Sequence, residues 1–173
     1  MTTDSPTARP TTVVTLEPQS GEHLSVVGDT YRILVSGKDT NNVFAAIDML
    51  VPPKGGPGPH AHADIEETFY VIEGEVVVRS ETQTYTARKG AFVRIPRGGA
   101  IHSFTNESQS VAHLLCVVVP AGGLVPMFEE IGKPVQPGAF MPLPTMTPEA
   151  AKQMKEIAAK HGQEVFPPDY LKK

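Results

Sequence analysis

The sequence has no tryptophan, a single cysteine and no cluster of basic residues. One cysteine cannot form an internal disulfide, which fits a reducing compartment. Lysine and arginine are scattered and the net charge is −4, whereas nucleic acids and anionic membranes require a basic protein face. We therefore expect neither of them as the main partner.

Signals for export and for membrane insertion are also missing. The stretch from Met1 to Pro6 lacks the basic start and apolar segment of a signal peptide. No apolar run approaches the roughly 20 residues that a membrane-spanning helix needs. With 173 residues, 40% of them hydrophobic, the chain suits one globular domain. We expect a soluble, cytoplasmic protein.

Glycine and proline are plentiful, with 15 and 17 residues, and they separate short runs rich in β-branched side chains. This pattern predicts short strands joined by tight turns, hence an all-β sandwich, jelly roll or barrel. The strand-like runs before Pro120 are 12–16, 24–27, 31–36, 43–51, 67–79, 83–87, 91–95, 101–105 and 111–119.

The pattern changes after Pro120. Residues 124–131 predict a short helix closed by Gly132, and a proline-rich connector follows. Thr147 then predicts the N-cap of a second helix, which Gly162 ends. We divide the chain into an N-terminal arm with edge strands (1–30), a β-barrel (31–120) and a connector with helices that pack on the barrel (121–173).

Candidate metal ligands are concentrated between residues 60 and 67. His60 and His62 share one face of an extended strand, because alternate side chains of a strand point the same way. Glu67 opens the next strand on the same side as Phe69 and Val71. A turn between the two strands brings this carboxylate to the histidine pair. The neighbouring acids at 64 and 66 are rivals, but they lack this combination of parity and spacing.

A fourth candidate lies further along the chain. His102 begins a strand-like run in which Phe104 and Asn106 share its face. Histidine and carboxylate ligands together suit first-row transition metals.

These two blocks resemble the two conserved motifs of the cupin family. The first motif, H-x-H followed by E and G, is matched by His60, His62, Glu67 and Gly74, and the second is matched by Gly90, Pro96, Gly98, His102 and Asn106. Two departures stand out. Three residues rather than two separate Gly98 from His102, and Lys54 stands where the family has a leading glycine.

The resemblance implies a fold and a cofactor. The fold is a double-stranded β-helix, that is a jelly-roll or cupin barrel, here with a short C-terminal helical extension. The cofactor is one divalent transition metal, Fe, Mn, Ni, Co or Cu, with Zn less expected, held by His60, His62, Glu67 and His102.

The layout of the whole chain resembles that of bacterial single-domain quercetin 2,3-dioxygenase-like cupins. It implies an oxygenase that uses O2 to cleave or oxidise a small aromatic or enolisable substrate, such as a flavonol. Glu67 would then also be the catalytic proton acceptor. We expect the substrate-binding wall to include Phe69, Phe92 and Phe104.

Two other classes of function stay open. The same site suits non-redox chemistry, namely a decarboxylase, lyase or cyclase, and it also suits a non-catalytic small-molecule-binding protein. The resemblance further implies a homodimer, in which the strand predicted around Thr11–Leu16 pairs with the partner's sheet and covers an open edge.

We expect several other residues to be buried or solvated rather than part of the metal site. We expect Cys116 to be a small buried hydrophobe and His161, at a helix end, to be solvated. Arg94 is expected to be solvated surface charge. His113 is expected in the core or at an interface, or beside the ligands if its side chain faces inward.

Overall fold

The computed structural model describes residue 9 and residues 11–172. Within this part of the chain there are twelve strands and two helices. Their bounds, in chain order, are β1 (His23–Val26), β2 (Asp29–Val35), β3 (Ala45–Val51), β4 (His60–His62), β5 (Glu66–Glu73), β6 (Glu75–Ser80), β7 (Thr84–Arg88), β8 (Phe92–Ile95), β9 (His102–Thr105), β10 (Ala112–Val119), α1 (Leu124–Ile131), β11 (Lys133–Pro134), α2 (Pro148–Lys160) and β12 (Gln163–Val165).

The strands form two antiparallel sheets. The larger sheet has the order β11-β1-β2-β3-β10-β5-β8, and the smaller has the order β12-β4-β9-β6-β7. Buried residues alternate with more exposed ones along β3 and β10, as expected when one face of a sheet covers a core. The predicted all-β jelly-roll fold with a short C-terminal helical extension is confirmed.

Both helices occur where local signals predict them. Helix α1 covers the predicted residues, and at its end the backbone N–H of Gly132 donates a hydrogen bond to the Phe128 carbonyl. At the start of α2 the Thr147 hydroxyl accepts a hydrogen bond from the Ala150 N–H at 3.2 Å. Neither helix is long and apolar enough to cross a membrane.

The strand predicted over residues 12–16 is absent. Residues 11–17 have no regular structure, and the edge of β1 is paired by β11 instead. Residues 11–17 thus lie outside both sheets. Residues 1–8 and 10, which belong to the predicted N-terminal arm, lie outside the described residues.

The single run predicted over residues 67–79 is two strands. Gly74 separates β5 from β6 with a φ of 74°, a value that glycine adopts without a steric penalty. The predicted domain limits at 30 and 120 stay predictions, although β2 runs across the first of them.

A buried amide organises the turn after β9. Asn106 is fully buried, and its Nδ2 donates to the carbonyls of Val51 and Ser110 at 2.8 and 2.7 Å. Its Oδ1 accepts hydrogen bonds from the backbone N–H and the hydroxyl of Ser108. This side chain therefore ties the end of β3 to the loop that follows β9.

Candidate metal centre

Four polar side chains converge inside the barrel from three strands. His60 and His62 come from β4, Glu67 from β5 and His102 from β9. All four are buried, and one possible ligand atom of each lies within 4.8 Å of the others. The residues singled out by the two sequence blocks are thus brought to one point.

The distances at this point suit neighbouring ligands of one metal ion. Glu67 Oε2 lies 2.8 Å from His62 Nε2 and 3.2 Å from His102 Nε2. Metal–ligand bonds of about 2.1 Å at right angles place adjacent ligand atoms about 3 Å apart. In addition, the rings of His60 and His102 have centroids only 4.2 Å apart.

The outer nitrogens of two rings fix the direction of the inner ones. Nδ1 of His60 donates to the Gly58 carbonyl, and Nδ1 of His102 donates to the Ala100 carbonyl, both at 2.9 Å. At His60 this bond selects the tautomer whose Nε2 lone pair faces the centre, as is usual for metal-bound histidine. Nε2 of His102 donates to Glu67 as well, so this ring must release a proton when a metal binds. In the ligand set of this chain, Nδ1 of His62 is the exception, because no described atom bonds to it.

The charge states of His60 and Glu67 also suit metal binding. Burial and the adjacent His102 lower the pKa of His60 to about 4, so this imidazole is neutral at pH 7. Burial by itself would raise the pKa of Glu67, but hydrogen bonds from His102 and His62 outweigh it and hold the pKa well below the ordinary value. A neutral imidazole and a carboxylate are the ligand forms that a metal ion requires.

Cys116 contacts the other oxygen of the carboxylate. Its Sγ lies 3.5 Å from Glu67 Oε1, and burial raises the pKa of the thiol, so the S–H stays a neutral donor. Its predicted burial is confirmed, whereas its contact with Glu67 was missed. That contact depends on the pairing of β10 with β5, which the local sequence does not specify.

Two of the three predicted wall residues lie in the barrel interior. Phe69 and Phe104 are buried with their rings edge to face, 5.2 Å apart. Phe92 is 64% exposed and pairs with the exposed Tyr70 across β8 and β5. Since alternate residues of a strand face opposite ways, Phe92 lies on the outer face, and we do not keep it in the proposed wall.

Of the two rival acids, Asp64 is exposed and Glu66 is paired outside the cluster. Glu66 forms a bidentate ion pair with Arg94, with distances of 2.7 and 2.8 Å, outside the barrel. Nε2 of His113 is hydrogen-bonded to the Asp48 carboxylate, and His113 is half-buried. It therefore does not join the ligand cluster.

A small cavity reaches the cluster at His62. Its volume is about 110 Å³, and its walls come from the loop before β5, the start of α1 and the turn between α2 and β12. His161 lines this cavity and bonds to Glu130 of α1 at 2.7 Å. The prediction that His161 is solvated is wrong, since only 13% of its side chain is exposed.

Comparison with known proteins agrees with this geometry. Residues 47–118 match the family described as the cupin domain. Residues 47–118 form a cupin domain. This cupin domain contains all four residues of the buried cluster.

The chain is similar to proteins and solved structures that are named as several different kinds of protein. The chain is 27% identical over 125 residues to quercetin 2,3-dioxygenase of Bacillus subtilis, which covers 72% of this chain and 36% of that protein. The chain therefore spans about a third of the length of this relative. A crystal structure of a predicted oxalate decarboxylase from Thermotoga maritima matches with a TM-score of 0.54 and 23% identity, covering 63% of this chain and 99% of the other. The structure of KdgF from a Halomonas species matches with a TM-score of 0.55 and 15% identity, covering 63% and 94%.

Proposed function

We propose that this protein is a metal-dependent oxygenase that uses O2 to oxidise or cleave a small aromatic or enolisable organic substrate. The observation that carries the proposal is the buried cluster of three imidazoles and one carboxylate. Structural zinc sites are closed and usually contain thiolates, whereas this ligand set leaves coordination positions free. The similarity to a quercetin 2,3-dioxygenase supports O2 as the co-substrate.

The proposed cofactor is one divalent ion of Fe, Mn, Ni, Co or Cu, held by His60, His62, Glu67 and His102. When bound, the ion would hold substrate and O2 together and lower the pKa of an enol or phenol hydroxyl. Residues of the chain itself would accept the substrate proton and exclude water.

Glu67 is the proposed proton acceptor. Its carboxylate is ionised, and one of its oxygens would be free to take a proton from a substrate hydroxyl while the other holds the metal. Phe69 and Phe104 form an apolar wall behind it that excludes water.

The cavity restricts the size of the substrate. Pockets for drug-sized ligands have about 300 Å³ or more, whereas the cavity beside His62 has about 110 Å³. Of the proposed ligands only His62 lines this cavity, and a small β-diketone would need less room beside it than a flavonol. We expect compact enolisable compounds to be better substrates than flavonols.

Dioxygen uptake tests the proposal. The protein is stripped of metal, reconstituted in turn with Fe, Mn, Ni, Co and Cu, and offered small β-diketones and flavonols. We expect metal-dependent uptake that disappears in His62→Ala. Substrate turnover that needs metal but not O2 would favour a decarboxylase, lyase or cyclase, and binding without turnover would favour a small-molecule-binding protein.

A pair of neighbouring variants tests the proton acceptor. Glu67→Gln is expected to lower kcat at least 100-fold, because general-base catalysis typically contributes a factor of about 10² to 10⁴. Glu66→Gln is the matched control, since Glu66 is paired with Arg94 outside the barrel. Full turnover by Glu67→Gln with metal bound would remove Glu67 from this role.

We also propose that the protein is a homodimer in which the arm around Thr11–Leu16 covers the partner. In the single chain, Val13 and Val14 are 84% and 92% exposed, and burying such side chains would stabilise a dimer. Replacing both valines with serine is expected to shift the mass in solution toward the monomer. A monomeric unmodified protein at micromolar concentration would contradict the proposal.

A further inference from the structure

The C-terminal end of the chain returns to the strand that carries two proposed ligands. Strand β12 pairs with β4 in the register Gln163 with His62, Glu164 with Ala61 and Val165 with His60. On its other side β4 pairs with β9 at one position only, His60 with His102. Most of the backbone pairing of this three-residue strand is therefore with β12.

The hydrogen-bond pattern identifies the residue at the centre of this pairing. The N–H of Phe166 donates to the Pro59 carbonyl at 3.0 Å. In an antiparallel pair, hydrogen-bonded and non-hydrogen-bonded positions alternate, so the next hydrogen-bonded pair is Glu164 with Ala61. Ala61 lies between the two histidines, and its N–H and carbonyl face Glu164.

The strand β12 is itself held firmly to the rest of the fold. Lys160 and His161, which precede it, both bond to Glu130 of α1, at 2.8 and 2.7 Å. Gly123 at the start of α1 lies so close to His161 that an added Cβ would be 2.4 Å from its carbonyl oxygen. The pairing of β12 with β4 thus connects the ligand strand to both helices.

We propose that β12 is a positioning element of the metal centre. The backbone of Glu164 holds Ala61, and thereby sets the spacing and direction of His60 and His62. This inference rests on the proposed metal centre and adds to it that the C-terminal segment is required for full metal affinity. Neither β12 nor Glu164 contacts the metal in this proposal.

Two proline variants separate the pairing with β4 from other effects. Glu164→Pro removes the N–H that faces β4, while the exposed Glu164 side chain contributes little packing. Val165→Pro is the matched control, because by the same alternation its N–H points away from β4 on an edge strand, where proline is tolerated. Proline also keeps an apolar ring of about the size of valine at this half-buried position.

The readouts are the Co²⁺ dissociation constant and the d–d absorption of bound Co²⁺, with far-ultraviolet circular dichroism to confirm folding. Loss of groups that orient ligands typically weakens metal binding about 10- to 100-fold. We expect a loss of at least tenfold and an altered d–d spectrum for Glu164→Pro, and less than threefold for Val165→Pro. Equal affinities of Glu164→Pro and the unmodified protein would overturn the proposal.

Hydrogen exchange of the unmodified protein provides a test without a variant, which decides the matter if Glu164→Pro does not fold. We expect Zn²⁺ to slow exchange of the Ala61 and Glu164 amides together, and to leave the hairpin amide of Val78 unchanged. Slower exchange in β4 without any change at Glu164 would refute the role of β12. Failure of the unmodified protein to bind Co²⁺ or Zn²⁺ would instead refute the metal centre itself.

Discussion

A buried carboxyl group outside the ligand cluster allows a quantitative prediction of how stability depends on pH. Asp29 is 2% exposed, and its Oδ1 and Oδ2 accept hydrogen bonds from the Gly56 N–H and the Tyr31 hydroxyl at 3.2 and 2.9 Å. Burial raises the pKa of Asp29 from 3.8 to about 7, although both hydrogen bonds oppose the rise. Its ionised form is therefore disfavoured in the folded protein.

The sign of the effect follows from proton linkage. Between about pH 4 and pH 7 the folded state holds a proton at Asp29 that the unfolded state has released, so stability falls as pH rises and levels off above pH 7. One pKa unit corresponds to about 1.4 kcal/mol, so the full loss is about 4 kcal/mol. We expect about 2 to 3 kcal/mol of it between pH 5 and pH 8.

The substitution Asp29→Asn removes this titration and retains groups that can bond to Gly56 and Tyr31. The assay is urea unfolding of both metal-free proteins at pH 5 and pH 8. Relative to the variant, the unmodified protein should lose about 2 to 3 kcal/mol over this range.

The control is Asp39→Asn, which alters an exposed carboxyl group. Hydrogen bonds from Ser36 lower the pKa of Asp39, so this group stays ionised from pH 5 to pH 8 in both states. It should leave the pH dependence of the unmodified protein unchanged. Equal pH dependence of the free energy of unfolding in Asp29→Asn and the unmodified protein would refute the reasoning.

Three further predictions concern packing, a buried amide and metal. Gly123→Ala should lower the free energy of unfolding in urea by about 1 to 3 kcal/mol, because the new Cβ meets the His161 carbonyl. The control Gly58→Ala should change this free energy little, since no atom lies within 4 Å of the added Cβ. Equal effects of the two variants would contradict the close approach of Gly123 to His161. Asn106→Ala removes four hydrogen bonds and should cost about 3 kcal/mol or more in the same assay; a loss under 1 kcal/mol would contradict its structural role. A chelator should lower the Tm of the metal-loaded protein, since metal at 100 times its Kd stabilises the folded state by about 2.7 kcal/mol. The chelator should not change the Tm of His102→Ala. An unchanged Tm of the unmodified protein after chelation would argue against a bound metal.

Much of the candidate site was predictable because its residues obey local rules. His60 and His62 are two positions apart on a strand, and the parity of Glu67 with Phe69 distinguishes it from Glu66. These relations depend only on the period of a β-strand. The helix that begins after Thr147 was equally predictable, because capping involves residues close in sequence.

Contacts between distant parts of the chain could not be predicted in this way. The missing strand at residues 12–16 shows the limit, because its own composition favours a strand while no described strand pairs with it. Phe92 is aromatic and lies near the second motif, but its pairing with Tyr70 places it on the outer face.

The sequence by itself determined the class of the fold, the helices and the identity of the four candidate ligands, because strand parity, turn residues and caps act over a few residues. Only the tertiary structure decided that Cys116 meets Glu67 and that β12 lies beside the ligand strand. It also decided that Asp29 is buried. These features depend on which strand edges pair and in which register, and that is settled when the whole core packs, not by any local pattern.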